Sequence, residues 1–172
     1  TLDLSRELDS MGAEYNAYTS KDHTAYYIKA GAEHLTPSLD ILSDMIFHSR
    51  FPKEEMDRER TVIIEEMHMY EDNPLMLCEE LLMQAVFGKK HPLGALIIGT
   101  KHNLRTMKRE KILEHKERFY TPSNMVLVLS GKIEKNVHQT IKNYFGSYRG
   151  YKTFPAFHPF EGKKRDAILK YK

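Results

Sequence analysis

The segment best suited to chemistry spans residues 58–68 and contains Glu59 and Glu66, seven positions apart. Seven residues make nearly two turns of an α-helix, so a helix would place both carboxylates on one face, about 10.5 Å apart along its axis. Val62 and Met69 share that face. Carboxylates beside apolar residues are costly to desolvate unless a cation meets them. The spacing allows a site for a divalent metal or an arginine, but from spacing alone a solvent-facing pair is the commoner arrangement, because charged helical faces are usually solvated.

Glu65 and His68 form a second candidate pair on the same segment, three residues apart. Carboxylate-bridged iron proteins bind metal through such pairs, but they use one pair on each of two helices. The sequence has no second copy of the pair, which favours a solvent-facing arrangement. A metal site at Glu65 and His68 in an unrelated α+β domain stays open as a distant alternative.

Two segments approach the inverted zinc motif H-x-x-E-H but differ at its first ligand position. Residues 111–115 begin with Lys111, and a cation there repels zinc. Residues 30–34 begin with Ala30, which offers no donor atom. We interpret both matches as coincidences. The sequence also lacks the G-x-S-x-G and Walker motifs, and Cys78 is predicted to be buried among leucines rather than to act as a nucleophile.

The elements that position these residues follow from the hydrophobic periodicity, which predicts an α+β domain with a largely antiparallel sheet flanked by helices. Residues 14–19 and 23–29 are predicted to form a hairpin, and the apolar run 125–129 a buried central strand. Glu59 and Glu66 fall on a helix over residues 53–72. The predicted apolar stripe of that helix is Met56, Ile63, Met67 and Tyr70, and Thr106 is predicted to cap a later helix reaching Tyr120.

Length and composition limit the class of protein. The 172 residues suffice for one domain with a sizeable core, and 41% of them are hydrophobic. The formal net charge of +2 gives no reason to expect nucleic acid or an anionic membrane as partner. No apolar run approaches the roughly 20 residues of a membrane span. The single cysteine, Cys78, cannot form a disulfide within the chain, which favours a reducing, cytoplasmic location. Both ends look truncated, with a domain over residues 1–146 and a linker and first strand over 147–172.

Five segments in matching order and spacing resemble the insulinase family of zinc peptidases, in its pitrilysin-like and mitochondrial-processing-peptidase-like branches. They are residues 8–19, 22–27, 58–66, 91–94 and 119–125, and the resemblance covers nearly the whole chain. The resemblance implies an insulinase-type peptidase domain. It also implies a zinc ion held by two histidines and by a glutamate on a later helix, with the glutamate inside H-x-x-E-H as general base.

The resemblance assigns roles to five residues of this chain. Glu66 matches the zinc ligand on the later helix. Glu59 matches the acidic residue that orients the ligands without touching the metal. Asn16, Ala17 and Tyr18 resemble the edge strand that receives the backbone of a peptide substrate by strand addition, and this strand is expected on or near an exposed edge.

The H-x-x-E-H motif itself is absent from the 172 residues. We therefore expect the N-terminal half of a zinc endopeptidase that hydrolyses peptides by a metal-activated water, cut so that the isolated chain is inactive and binds no zinc alone. Its expected partners are a peptide substrate and the second half of the peptidase, on the same chain or in a dimer. The alternative is a degenerate insulinase-type domain that scaffolds or presents peptides without hydrolysing them.

Overall fold

The computed structural model describes residues 2–148 and begins with a helix and a hairpin, followed almost entirely by helices. In chain order the elements are α1 (Leu2–Ser10), β1 (Glu14–Thr19), β2 (Thr24–Lys29), α2 (Leu35–Phe47), α3 (Lys53–Asp72), α4 (Pro74–Phe87), α5 (Lys101–Thr106), α6 (Arg109–Phe119) and α7 (Val137–Phe145). Short 3-10 turns occupy Ala32–His34, Pro92–Gly94 and Pro122–Asn124. The prediction of an α+β fold with an antiparallel sheet flanked by helices is confirmed, and the described sheet has two strands.

The hairpin is antiparallel, with Glu14 opposite Lys29 at its open end and Thr19 opposite Thr24 next to the turn. Tyrosine and threonine are abundant in both strands, and such residues favour a pleated, half-buried surface. Gly12 has φ 61°, a left-handed conformation that costs glycine little and ends α1 just before the first strand. The predicted hairpin is therefore confirmed.

The described residues form two compact units, and the first comprises residues 2–19, 23–50 and 110–148. It contains strands β1 and β2 together with α1, α2, α6 and α7. Its buried apolar side chains include Leu8, Leu39, Ile41 and Val137. Lys116 of α6 donates from Nζ to the carbonyl oxygens of Phe47, at 2.8 Å, and Ser49, at 3.1 Å. These bonds satisfy acceptors at and just beyond the end of α2, where no helical partner exists.

The second unit comprises residues 20–22 and 51–109 and contains α3, α4 and α5. Asn73 lies between α3 and α4, and its side-chain oxygen accepts hydrogen bonds from the backbone N–H of Leu75, at 3.1 Å, and Met76, at 3.5 Å. Pro74 occupies the first position of α4. This asparagine cap and first-turn proline explain why α4 begins immediately after α3 ends.

The prediction of a buried strand at residues 125–129 is wrong for the described part of the chain. Met125 is extended, with φ −128° and ψ 150°, but residues 125–129 pair with no strand among residues 2–148. Val126 is 90% exposed and Val128 is 77% exposed. Branched apolar residues favour extended backbone, but a strand also requires a neighbour that exchanges hydrogen bonds with it.

The helix prediction around Thr106 also needs correction. Thr106 ends α5 instead of capping the next helix, and its hydroxyl donates to the carbonyl oxygen of His102 at 2.9 Å. The capping residue is Thr100, whose hydroxyl accepts from the backbone N–H of Asn103 at 3.1 Å. Thr100 thus caps α5, a helix that the sequence did not predict, and the predicted helix is present as α6 (Arg109–Phe119). Of the predicted linker and strand over residues 147–172, the part from residue 149 onward lies outside the described residues.

Candidate functional site

Helix α3 places the two candidate carboxylates. It begins directly after Pro52, carries Glu54 and Glu55 in its first turn, and continues for 20 residues. Acidic side chains near a helix N-terminus are stabilised by the positive end of the helix dipole. Lys53 donates to Asp57 at 2.6 Å, and chiefly this hydrogen bond lowers the pKa of Asp57 below its usual value. These local interactions support the helix that sequence periodicity predicted over residues 53–72.

Glu59 and Glu66 lie on one face of α3, as predicted, and both side chains are exposed. Neither carboxylate forms an ion pair or a side-chain hydrogen bond within residues 2–148. Val62, on the same face, is 51% exposed and Met69 is 71% exposed. A carboxylate without a cationic partner keeps its oxygen lone pairs available to a metal ion. This face therefore presents two carboxylates that could act as metal ligands, beside exposed apolar side chains.

The buried side of α3 differs from the predicted stripe at one position. Met67 is buried, while Met56 and Ile63 are partly buried, in agreement with the prediction. Tyr70 is 45% exposed, so its inclusion was wrong. It lies three residues after Met67, but towards the face that carries Glu59 and Glu66, because a helix turns by about 100° per residue.

The side chains of the alternative pair, Glu65 and His68, also lie close together. Nδ1 of His68 lies 3.5 Å from Oε2 of Glu65, and both side chains are largely exposed. Across residues 2–148 no group of three or more histidine, cysteine, aspartate or glutamate side chains could hold a metal ion. The described chain can contribute ligands to a metal site but does not contain a full set. Glu66 fits zinc as one oxygen ligand among several.

The near-matches to H-x-x-E-H do not form metal sites. Lys111 donates from Nζ to Oε2 of Glu114 at 2.6 Å, and this hydrogen bond lowers the pKa of the Glu114 carboxyl. His34 lies 4.0 Å from Glu33, at an exposed 3-10 turn. Their interpretation as coincidental agrees with this geometry.

Asn16, Ala17 and Tyr18 lie in the middle of β1, opposite Tyr27, Tyr26 and Ala25 respectively. All three side chains are exposed, and β1 pairs only with β2 within residues 2–148. The side-chain oxygen of Asn16 accepts a hydrogen bond from the backbone N–H of Ala17 at 2.8 Å. These residues belong to the first unit, whereas Glu59 and Glu66 belong to the second.

Two polar residues of the second unit make long-range contacts that the sequence did not signal. Lys21 donates from Nζ to Oε2 of Glu80 at 3.0 Å and to the carbonyl oxygen of Ala95 at 2.8 Å. Arg60 of α3 donates to the carbonyl oxygens of Leu104 and Met107. A basic residue in a turn or on a helix is typical of a solvated surface, so only the tertiary structure identifies these two.

The prediction for Cys78 is wrong, since its side chain is exposed on α4. Leucines surround it in sequence, and none of the residues of α4 is fully buried, so an apolar neighbourhood in the sequence did not imply burial.

Among the described residues, no helix combines the length and the hydropathy needed to cross a bilayer.

Comparison with known proteins gives two family matches. Residues 1–101 match the model described as Insulinase (Peptidase family M16), and residues 106–170 match the model described as Peptidase M16 inactive domain. The chain is 36% identical over 146 residues to a Bacillus subtilis protein named uncharacterized zinc protease YmxG, covering 85% of this chain and 36% of that protein.

A second relative and a solved structure are also similar to this chain. The chain is 32% identical over 143 residues to an Arabidopsis thaliana protein named probable mitochondrial-processing peptidase subunit beta, covering 83% of this chain and 27% of that one. The structure of an M16-like peptidase from Alicyclobacillus acidocaldarius superposes with a TM-score of 0.77 at 29% identity, covering 87% of this chain and 35% of that one. The chain therefore spans about a third of the length of such relatives.

Proposed function

The chain belongs to the insulinase family, peptidase family M16, and on that premise we propose that the full-length protein is a zinc-dependent endopeptidase in which Glu66 binds the metal. The observation that carries the proposal is the pair of exposed carboxylates on one face of α3, neither of which is paired with a cation among the described residues. A peptidase of this kind would also explain why Val62 and Met69 on the same face are exposed in this chain.

Each of the two glutamates has its own role in the proposal. Glu66 supplies one anionic oxygen ligand, and Glu59, two turns earlier, orients the neighbouring groups through hydrogen bonds without touching the metal. Glu66 would hold the zinc together with ligands from outside the described residues, and the chemistry supplied there would be activation of a water molecule for attack on a peptide carbonyl. No three candidate ligands come together among the described residues, and the H-x-x-E-H motif that would bring the other two ligands and the general base is absent from the 172 residues. We therefore propose that this chain does not hydrolyse peptides alone.

Strand β1 is the proposed binding element for the substrate. Asn16, Ala17 and Tyr18 are exposed, and β1 has a pairing partner on one side only within residues 2–148. An extended peptide can add to such an edge through main-chain hydrogen bonds, which tolerates many side chains. The substrate class that suits this mode is an unfolded or extended peptide segment.

The partners and organisation of the protein are also proposals. We propose a second peptidase half, on the same chain or in a dimer, because this chain spans about a third of its relatives. The division into a domain over residues 1–146 and a linker and first strand over residues 147–172 stays a prediction. A cytoplasmic location stays a prediction as well, based on the single cysteine in the sequence.

Zinc analysis of the full-length protein tests the proposal. Glu66→Ala should abolish zinc retention after dialysis, because it removes a ligand, whereas His68→Ala should leave zinc at the wild-type level. The second variant is a matched control, since His68 lies on the same helix and is also exposed. Loss of zinc in His68→Ala but not in Glu66→Ala would favour the alternative pair.

Reading the full-length sequence upstream of Thr1 separates catalysis from presentation. We expect H-x-x-E-H there, on a helical pattern. Both histidines without the glutamate would give zinc binding without a general base, and a degenerate domain that presents peptides would then be the better assignment. Absence of both histidines would overturn the catalytic proposal and leave the family unchanged.

A further inference from the structure

We infer that Arg60 is a positioning residue that fixes the rotation of α3 about its own axis and thereby the direction in which Glu66 faces. The inference rests on the proposed function of Glu66 as a zinc ligand. Within residues 2–148 the side chain of Arg60 forms no hydrogen bond or ion pair with either glutamate. It acts through the helix that carries them.

The contacts of Arg60 lie within the second unit. Its side chain is only 20% exposed, and its guanidinium donates through Nη1 to the carbonyl oxygen of Leu104 and through Nη2 to that of Met107. Its Nε lies 3.4 Å from Oδ1 of Asp57, one turn earlier on α3. Leu104 and Met107 lie at the C-terminal end of α5, where carbonyl oxygens have no helical partner.

This geometry suits an arginine and restricts the rotation of α3 about its own axis. The guanidinium is a rigid planar fork, so donation to two fixed carbonyl oxygens defines its orientation, unlike the point charge of a lysine. A second link lies three turns further along α3, where Lys101 of α5 donates to Oε2 of Glu71 at 2.9 Å. Because Arg60 and Glu71 are eleven residues apart, they lie on nearly the same side of α3. Two links on one side hold α3 against α5.

A small rotation would matter for a metal ligand. Glu59 and Glu66 lie about 100° and about 120° around the helix from Arg60, on the same side. With side-chain ends about 6 Å from the axis, a rotation of about 20° would move each carboxylate by about 2 Å. Metal–ligand distances are defined to about 0.2 Å. Rotation on this scale would therefore disrupt a zinc site.

The test measures zinc binding by the full-length protein, with zinc alone as the probe. Arg60→Met keeps the volume of the side chain and removes the fork, and we expect its zinc affinity to fall by about 10- to 100-fold. Arg58→Met is the matched control, because Arg58 lies on the same helix with a 71% exposed side chain, and its affinity should be unchanged. The visible absorption of the cobalt-substituted protein should change in Arg60→Met only, since it reports ligand geometry.

Arg60→Lys keeps the test decisive if Arg60→Met fails to fold. Lysine can reach one carbonyl oxygen but not both, so we expect an intermediate loss of affinity. Wild-type zinc affinity and an unchanged cobalt spectrum in either folded variant, even with a lowered melting temperature, would show that Arg60 only stabilises the fold and would overturn the inference. Glu66→Ala in the same assay separates the two claims. If the wild type binds no zinc, or Glu66→Ala still binds it, the proposed function falls and the inference with it.

Discussion

Lys21 Nζ lies 3.0 Å from Glu80 Oε2, and the two side chains are only 17% and 24% exposed although the residues are 59 positions apart in sequence. Lys21 also donates to the carbonyl oxygen of Ala95, so its ammonium group satisfies two acceptors at once. The ion pair is therefore more sheltered than the i,i+4 pair of Lys53 and Asp57, whose side chains are 84% and 50% exposed.

We expect Lys21→Met to destabilise the protein by about 1–3 kcal/mol, because it leaves the Glu80 carboxylate partly buried without its hydrogen-bond donor. Urea unfolding at neutral pH measures the change. Lys53→Met is the control and should cost less than about 0.5 kcal/mol, as exposed pairs contribute little. In a double-mutant cycle, adding Glu80→Gln should recover part of the loss. Equal effects of the two lysine variants would contradict this view of the pair.

The partly buried hydroxyl of Tyr26 predicts a loss of stability in alkali. Its oxygen lies 3.2 Å from that of Tyr120, and burial, followed by this hydrogen bond, raises the pKa of Tyr26 above its usual value of 10.0. The fold thus favours the neutral hydroxyl. The stabilisation is fully present below about pH 10, the pKa of an unfolded tyrosine, and is lost as the pH rises further towards the folded pKa.

Tyr26→Phe tests this pH dependence. At neutral pH the variant should be less stable by about 1 kcal/mol, for the lost hydrogen bond. That difference should shrink as the pH rises above about 10, because only the wild type must keep the hydroxyl protonated to stay folded. Urea unfolding from about pH 8 to about pH 11 provides the measurement. Tyr27→Phe, on the same strand and 40% exposed, is the control for removing a tyrosine hydroxyl. A constant offset for Tyr26→Phe across this pH range would refute the prediction.

Gly94 is predicted to tolerate no side chain. It is buried in the 3-10 turn after α4, and a Cβ atom there would collide with the carbonyl oxygen of Gly88, which is backbone and cannot move aside like a side chain. Gly94→Ala should therefore cost about 1–3 kcal/mol, the usual range for overpacking. Ala95→Ser, at the exposed next residue, should change stability by less than about 0.5 kcal/mol. An unaffected Gly94→Ala variant in urea unfolding would mean that the turn can shift.

The chain of residues 1–172 is predicted to retain well under one equivalent of zinc after dialysis. A catalytic zinc site needs three protein ligands, and the described residues bring no three candidate ligands together. Elemental analysis of the purified chain provides the measurement. A full equivalent would point to another cluster, and His68→Ala would then show whether the pair with Glu65 contributes.

Local signals in the sequence predicted several elements closely. The helix over residues 53–72 has the bounds that periodicity, Pro52 and Asn73 suggest, and α7 contains the apolar residues Val137, Ile141 and Phe145 that mark it. The face shared by Glu59 and Glu66 follows from helical geometry alone. Their roles at a zinc site came from the family resemblance and stay predictions.

Features that depend on distant parts of the chain were not predictable. Lys21 and Arg60 are ordinary basic residues in sequence, and their acceptors, at Ala95 and Leu104, lie far along the chain. The run 125–129 carries a strong strand preference, but pairing depends on a neighbour, which sequence preference alone does not provide. Thr106 was a reasonable cap by residue type, yet Thr100 starts the helix that Thr106 ends.

The apolar run 125–129 also bears on how the isolated chain behaves in concentrated solution. Residues 125–129 are all apolar, with neither charge nor proline; Val126 and Val128 are 90% and 77% exposed, and the run pairs with no strand among residues 2–148. Short segments of this kind pair with copies of themselves and seed aggregates. We expect Val126→Lys to raise the concentration at which this chain stays in solution, because a charge at an exposed position of the run opposes intermolecular stacking.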